Sequence, residues 1–159
     1  GPRTVQRILV TMGAGAAPPV RGLRPVAAVA PGVAAATGLS LQQLAAALVG
    51  QLRPAALVCV DSLCSAEGQR LGRTVQFSDA GLYPAQADHT RHLTRDTLGV
   101  PVVAAGIPTL MQAQEGADLV VTPRALDSVI AHGAALLAGS VNHALQPRLT
   151  VQQLCWLTG

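Results

Sequence analysis

Three aliphatic runs bounded by proline or glycine, Val26–Ala30, Ala56–Val60 and Val100–Gly106, constrain this fold more than any other feature of the chain. They read as continuous apolar stretches rather than alternating ones, the pattern of parallel strands covered on both faces by helices. Between the first two, Ser40 is placed to cap a helix in which Leu41, Leu44, Ala45, Leu48 and Leu52 share one face, and Pro54 ends it. Strand, helix and strand in that order make a βαβ unit. Thr74–Ser78 alternates and reads as a strand nearer an edge. A last helix is expected from Pro123, capped by Thr122 and closed by Pro147, with Leu126, Val129, Ile130, Leu136, Leu137, Val141 and Leu145 at helical spacing. The expectation is one α/β domain over residues 1–147, a three-layer sandwich with a mostly parallel sheet, followed by a C-terminal tail over residues 148–159.

Composition narrows the classes of function. The chain has 159 residues, 50% hydrophobic and only 12% charged, which excludes a disordered chain. Its most apolar stretch, Val26–Leu39, is interrupted by Pro31-Gly32 and Thr37-Gly38, short of the ~20 unbroken residues a membrane span requires. The net charge of +3 comes from scattered arginines, and aromatic residues make up 2%. A single-stranded nucleic-acid platform needs rings interleaved with its cations, so no nucleic-acid partner is expected. Cys59, Cys64 and Cys155 form no C-x-x-C pair, and with no recognisable signal peptide a reducing, cytoplasmic compartment is expected. A first residue of Gly1 rather than Met reads as a fragment or a processed product.

Open parallel sheets place chemistry at the carboxyl ends of their strands. That rule selects Asp61, directly after A-L-V-C-V, and a crevice shared with Pro31-Gly32 and Gly106. Two readings of Asp61 stand side by side: a cap for the turn that follows, or a carboxylate aimed into the crevice. Asp79, in S-D-A-G, fits an Asx-type turn but also lies at a strand end, whereas Asp118 and Asp127 fall near the last helix and read as solvated. A hydrolytic carboxylate needs an acidic neighbour, because of two close carboxyl groups one stays ionised while the other keeps its proton. His89 and His92 have no carboxylate or cysteine at metal-site spacing and read as surface-loop residues; no metal and no cofactor are expected. Ser62 and Cys64 lack a partner base in sequence, and Gly13-Ala14-Gly15 is not followed by the lysine of a phosphate loop.

Several blocks resemble the bacterial spore germination protease family. Arg24–Val33 (R-P-V-A-A-V-A-P-G-V) with Thr37-Gly38 is similar to that family's R-P-V-S-A-I-A-P-G-V and T-G, and Pro54–Ser62 to its P-D-x-V-I-A-I-D-A. Thr74–Leu82 resembles T-I-Q-I-S-D-T-G-I, Leu93–Thr109 resembles L-S-K-E-T-L-G-I-P-V-I-A-I-G-V-P-T, and Val121–Arg124 and Leu137–Leu145 match V-T-P-K and A-x-G-L-N-A-A-L. The resemblance implies an aspartic-type endopeptidase, made as a zymogen, that degrades small acid-soluble spore proteins at germination. It further implies a fold related to the hydrogenase maturation proteases, a homotetramer and a place in the spore core. One essential aspartate of the family maps onto Asp61. The other precedes a Gly-Pro that Gly1-Pro2 resembles, so Asp61's partner is expected ahead of Gly1, with Asp79 as an accessory or substitute acid. Tyr83 stands where the family has a histidine, and Pro84–Arg91 and Gln112–Ala117 replace longer segments. A non-catalytic remnant of the fold, serving as a structural or interaction module, is the competing expectation; a nucleotide-binding module has only the βαβ pattern behind it.

Overall fold

A computed structural model describes residues 1–13, 21–32, 34–83, 92–112 and 120–159. The chain divides into two compact units, Pro31–Val129 and a second built from Gly1–Ala30 with Ile130–Gly159. Most of the loop expected at Gly13–Pro19, the Pro84–Arg91 segment, His89, Asp118 and residues 113–117 lie outside the described residues.

The Pro31–Val129 unit is α/β. After a short helix α2 (Ala34–Thr37) comes α3 (Leu41–Leu52), with the predicted limits. Ser40 accepts the Gln43 amide while the Gln43 side chain accepts the Ser40 amide, a reciprocal cap that satisfies two otherwise orphaned donors. Strand β1 (Leu57–Ser65) pairs in parallel with β3 (Val102–Gln112), and β2 (Gln76–Ser78) and β4 (Val120–Val121) pair antiparallel with β3. The sheet is therefore mixed, not mostly parallel. The reason lies in the connections: the chain leaves β1 at Ser65 and enters β2 at Gln76 without a crossover helix, so β2 runs back along the sheet. Helix α4 (Arg95–Leu98), capped by Thr94 and ended by Gly99, precedes β3. Ala45 of α3 packs with Leu82, Leu93, Leu98, Val102 and Ala104 in a buried cluster that Leu41, Leu57 and Cys59 extend. Leu82 and Leu93 face one another in a single antiparallel bridge. Gly81 (φ +101°) permits it, since a Cβ there would strike the Leu93 carbonyl oxygen.

Strands β1 and β3 both run further than the sequence pattern marks. β3 continues through Pro108 to Gln112, past Gly106 where the aliphatic run stops. The Leu57 amide donates to the Pro101 oxygen (2.9 Å), which fixes the alternation: Leu57, Cys59, Asp61 and Leu63 turn their main-chain groups toward β3, and on β3 residues 103, 105 and 107 answer them. The missing Pro108 amide therefore falls on the side away from β1 and breaks no rung between the two strands, while its carbonyl accepts the Gly72 amide (2.7 Å). The register slips by one residue just beyond, between Leu63 and Cys64.

In the other unit α1 (Pro2–Val5) starts with proline in its first turn, α5 (Leu126–Leu145) enters at Ile130, and α6 (Val151–Thr158) closes the chain. Val26–Ala30 forms no strand. Its hydrogen bonds go elsewhere: the Val26 carbonyl accepts the amides of Thr11 and Met12, and the Val26 amide donates to Thr11 Oγ1. Two amide side chains four residues apart, Asn142 on α5 and Gln146 just past its end, clamp main chain. Asn142 accepts from Leu9 N (2.9 Å) and donates to Arg7 O (2.8 Å); Gln146 accepts from Arg24 N (2.9 Å) and donates to Arg24 O (2.8 Å). Helix α5 begins at Leu126, so Thr122 and Pro123 precede it rather than cap it. Residues 148–159 contain α6, capped by Thr150 and Gln153, with Leu154 buried and Cys155 and Trp156 exposed. No helix among the described residues is long and apolar enough to cross a membrane.

Candidate active site

Asp61 lies within β1, not after it: the strand continues to Ser65 because Asp61 pairs with Gly106 and Ser62 with Ile107. The parity above commits Asp61's own amide and carbonyl to β3, so a rigid ladder positions its side chain. That side chain is exposed and occupies the same face as the core residues Leu57 and Cys59, in one row with Gly106 of β3 and Gln76 of β2. Gly106 is sterically required there. A Cβ on it would be driven into the Asp61 carbonyl oxygen and would stand 2.7 Å from Leu63 Cγ. The Leu63 side chain and the Asp61 main chain fill the space that a side chain at Gly106 would take. Pro31-Gly32, expected in the same crevice, precede α2 and are not part of the sheet.

One carboxylate oxygen is already engaged. Ser62 N–H donates to Asp61 Oδ1 at 2.8 Å. The Ser62 main chain belongs to the alternate set that faces away from β3, and β1 ends the sheet in the order β1-β3-β2. The carboxylate is therefore turned toward the side of β1 away from β3, where no strand pairs with β1 among the described residues. Next to it, burial and then the Asp61 charge push the Cys59 thiol up to about 11, so Cys59 stays a neutral packing residue.

Asp79 follows directly on β2, beyond Ser78, which pairs with Ala104. Two strand spacings across and three residues along separate it from Asp61, about 14 Å between the two backbones. The sheet does not bring these two acids within proton-sharing reach. Asp127 is exposed in the first turn of α5, and His132 and His143 are exposed on the same helix. His92 is half-buried, its ring 4.8 Å from that of Tyr83 and tilted by 59°. Cys64 is exposed on β1. Among the described residues no three His, Cys, Asp or Glu side chains gather as a metal cluster.

Sequence reading passed over two features of this site. The steric demand at Gly106 has a signal, a glycine inside an aliphatic run, which marks close backbone approach. The role of Ser62 has none, because its amide rather than its hydroxyl meets Asp61.

The sequence profile of the germination protease family matches residues 1–115. The chain belongs to the germination protease family. A germination protease of Clostridium perfringens is 27% identical over 97% of this chain, and one of Halalkalibacterium halodurans is 36% identical over 83% of it. That of Bacillus subtilis is 36% identical over 71%. The chain spans 63% of the length of the Clostridium relative, 36% of the Halalkalibacterium one and 32% of the Bacillus one. Asp61, Gly106 and Asp79 all fall inside the matched region.

Proposed function

We propose that this chain is part of an endopeptidase of the germination protease type that acts on small acid-soluble spore proteins in the spore core, with Asp61 as its reacting carboxylate. The observation that carries the reading is Asp61 itself, held by the β1–β3 ladder with its side chain exposed. Ionised, Asp61 takes a proton from water as the water attacks the scissile carbonyl. A second, protonated carboxyl group donates to the carbonyl oxygen; as the tetrahedral diol collapses, Asp61 gives the proton it took to the leaving amine and the second group takes one back from a diol hydroxyl, which restores both. The resemblance puts that second acid ahead of Gly1. Asp79, about 14 Å from Asp61 by the strand geometry, acts in this reading only as an accessory acid. The homotetramer belongs to the same proposal.

The experiment is cleavage of a purified small acid-soluble spore protein by the full-length gene product, wild type against Asp61→Asn. The substitution keeps shape and removes the ionisable group. Loss of cleavage by roughly 10²-fold or more, the usual contribution of a positioned acid or base, supports the reading; full activity in the variant ends it. The 2.8 Å bond from the Ser62 amide favours a second reading, a non-catalytic module in which Asp61 is a local brace. That reading expects no cleavage by the wild-type protein either.

A further inference from the structure

The bond from Ser62 N–H to Asp61 Oδ1, at 2.8 Å, sets the two carboxylate oxygens apart. An amide donating to an ionised carboxylate makes a charge-assisted bond, roughly twice as strong as one between neutral groups. Its donor cannot wander. Asp61 pairs with Gly106 and Ser62 with Ile107, so the ladder to β3 fixes the peptide unit that joins Asp61 to Ser62. Within that trans unit the Asp61 carbonyl turns toward β3, and the Ser62 N–H therefore turns away from it. The carboxylate takes its orientation from the strand's own backbone, and Oδ2 is the oxygen left out of the bond.

We propose that the Ser62 main-chain amide is a positioning group of the reaction: it holds Oδ1 so that Oδ2 alone takes the proton of the attacking water. This rests on the protease reading of Asp61, and it adds which oxygen reacts and what aims it. Oδ2 accepts the proton as the water oxygen bonds to the scissile carbonyl carbon, and later passes it to the leaving amine. The bond at Oδ1 stays intact throughout. A carboxylate held at one oxygen has given up its torsional freedom before the substrate arrives. Rates are sensitive to such aim, since a misplacement of about 1 Å can cost 10²-fold.

Steady-state cleavage of a small acid-soluble spore protein by the full-length protein, with the main-chain amide of Ser62 exchanged for an ester, tests this. The exchange puts an oxygen in place of the N–H and keeps the serine side chain. The expected result is a kcat about ten-fold lower with KM within about two-fold of wild type, the signature of an interaction that serves the transition state rather than substrate binding. An ester also weakens the carbonyl that precedes it, here that of Asp61 in the ladder. The same exchange at Val60 weakens the Cys59 carbonyl in the same ladder without touching the carboxylate, and is expected to leave kcat unchanged. Ser62→Pro, which also removes the amide on the side away from β3, is expected to lower kcat at least as far as the Ser62 ester. A Ser62 ester with wild-type kcat overturns the proposal. So does a loss that the Val60 ester equals, which makes the bond a brace of the strand, and so does a Ser62 ester that raises KM and spares kcat. Cleavage abolished by Asp61→Asn but untouched by the Ser62 ester leaves the protease reading standing and removes this one. Full activity in Asp61→Asn ends the protease reading and this proposal with it.

Discussion

Removing the Asn142 side chain is expected to cost this protein about 2–4 kcal/mol, and the structure supplies each part of that figure. Asn142 is 2% exposed and makes two hydrogen bonds, from Leu9 N at 2.9 Å and to Arg7 O at 2.8 Å. In Asn142→Ala both main-chain groups lose their partner, at about 1–2 kcal/mol each, the lower part of the range for an unsatisfied group because both bonds are only part-buried. Set against the ~5–15 kcal/mol by which domains are stable, and at roughly 2–4 °C per kcal/mol for a chain of this size, Tm should fall by about 5–15 °C. Asn142→Leu refills the volume without the polar groups, and if the hydrogen bonds carry the effect it should be nearly as damaging as Ala. Gln146→Ala removes the neighbouring clamp on Arg24. The two clamped segments are themselves joined, because Thr11 Oγ1 donates to the Arg24 carbonyl that Gln146 also holds, and Thr11 N donates to Val26 O. Releasing one segment therefore loosens the other, and the double variant should lose at least about 0.5 kcal/mol less than the sum of the singles. Urea unfolding followed by far-UV circular dichroism reads all four proteins. A single-variant loss under about 0.5 kcal/mol, the level of an ordinary surface substitution, would refute the clamp.

Gly106→Ala should destabilise by about 1–3 kcal/mol, the usual penalty for forcing a methyl into packed backbone, in the same urea assay; an unchanged midpoint would mean the strands can part at no cost. Asp79→Asn in the full-length protein should leave most of the spore-protein cleavage intact, given its separation of about 14 Å from Asp61; a loss equal to that of Asp61→Asn would contradict this. With a thiol reagent at pH 8, Cys64 and Cys155, both exposed, should react quickly and Cys59 only on unfolding. Because Cys59 titrates near 11 in the folded chain against 9.0 ordinarily, its contribution to stability is complete below pH 9 and fades as pH rises toward 11. Cys59→Ala should flatten that part of a stability–pH curve.

Much of the fold was legible because local rules set it. Helix α3 runs from Leu41 to Leu52 as its apolar face, the Ser40 cap and Pro54 require. The aliphatic runs at Ala56 and Val100 do become the parallel pair β1 and β3. What the sequence hides is where each backbone hydrogen bond goes. Val26–Ala30 has the composition of a strand, yet Thr11 and Met12 supply the partners of Val26. Pro108 looks like a terminator, yet its missing amide falls on the side where β1 needs nothing. Strand direction was hidden too, for Thr74–Ser78 reads the same whether it runs parallel or antiparallel.

The same limit applies to Asp61, and it changes the balance between the two readings of that residue. A capping aspartate belongs at an element's end, where it satisfies the amides of the next turn. β1 instead runs four residues past Asp61, to Ser65, in register with β3, so no helix or turn begins there for it to cap. Its main chain is committed inward, its Gly106 neighbour cannot carry a side chain, and its carboxylate holds the one outward amide that lies next to it. The continuing strand thus removes the capping role, and what remains to decide is whether the exposed carboxylate, bonded to the Ser62 amide, reacts or only braces the strand; cleavage by Asp61→Asn separates the two.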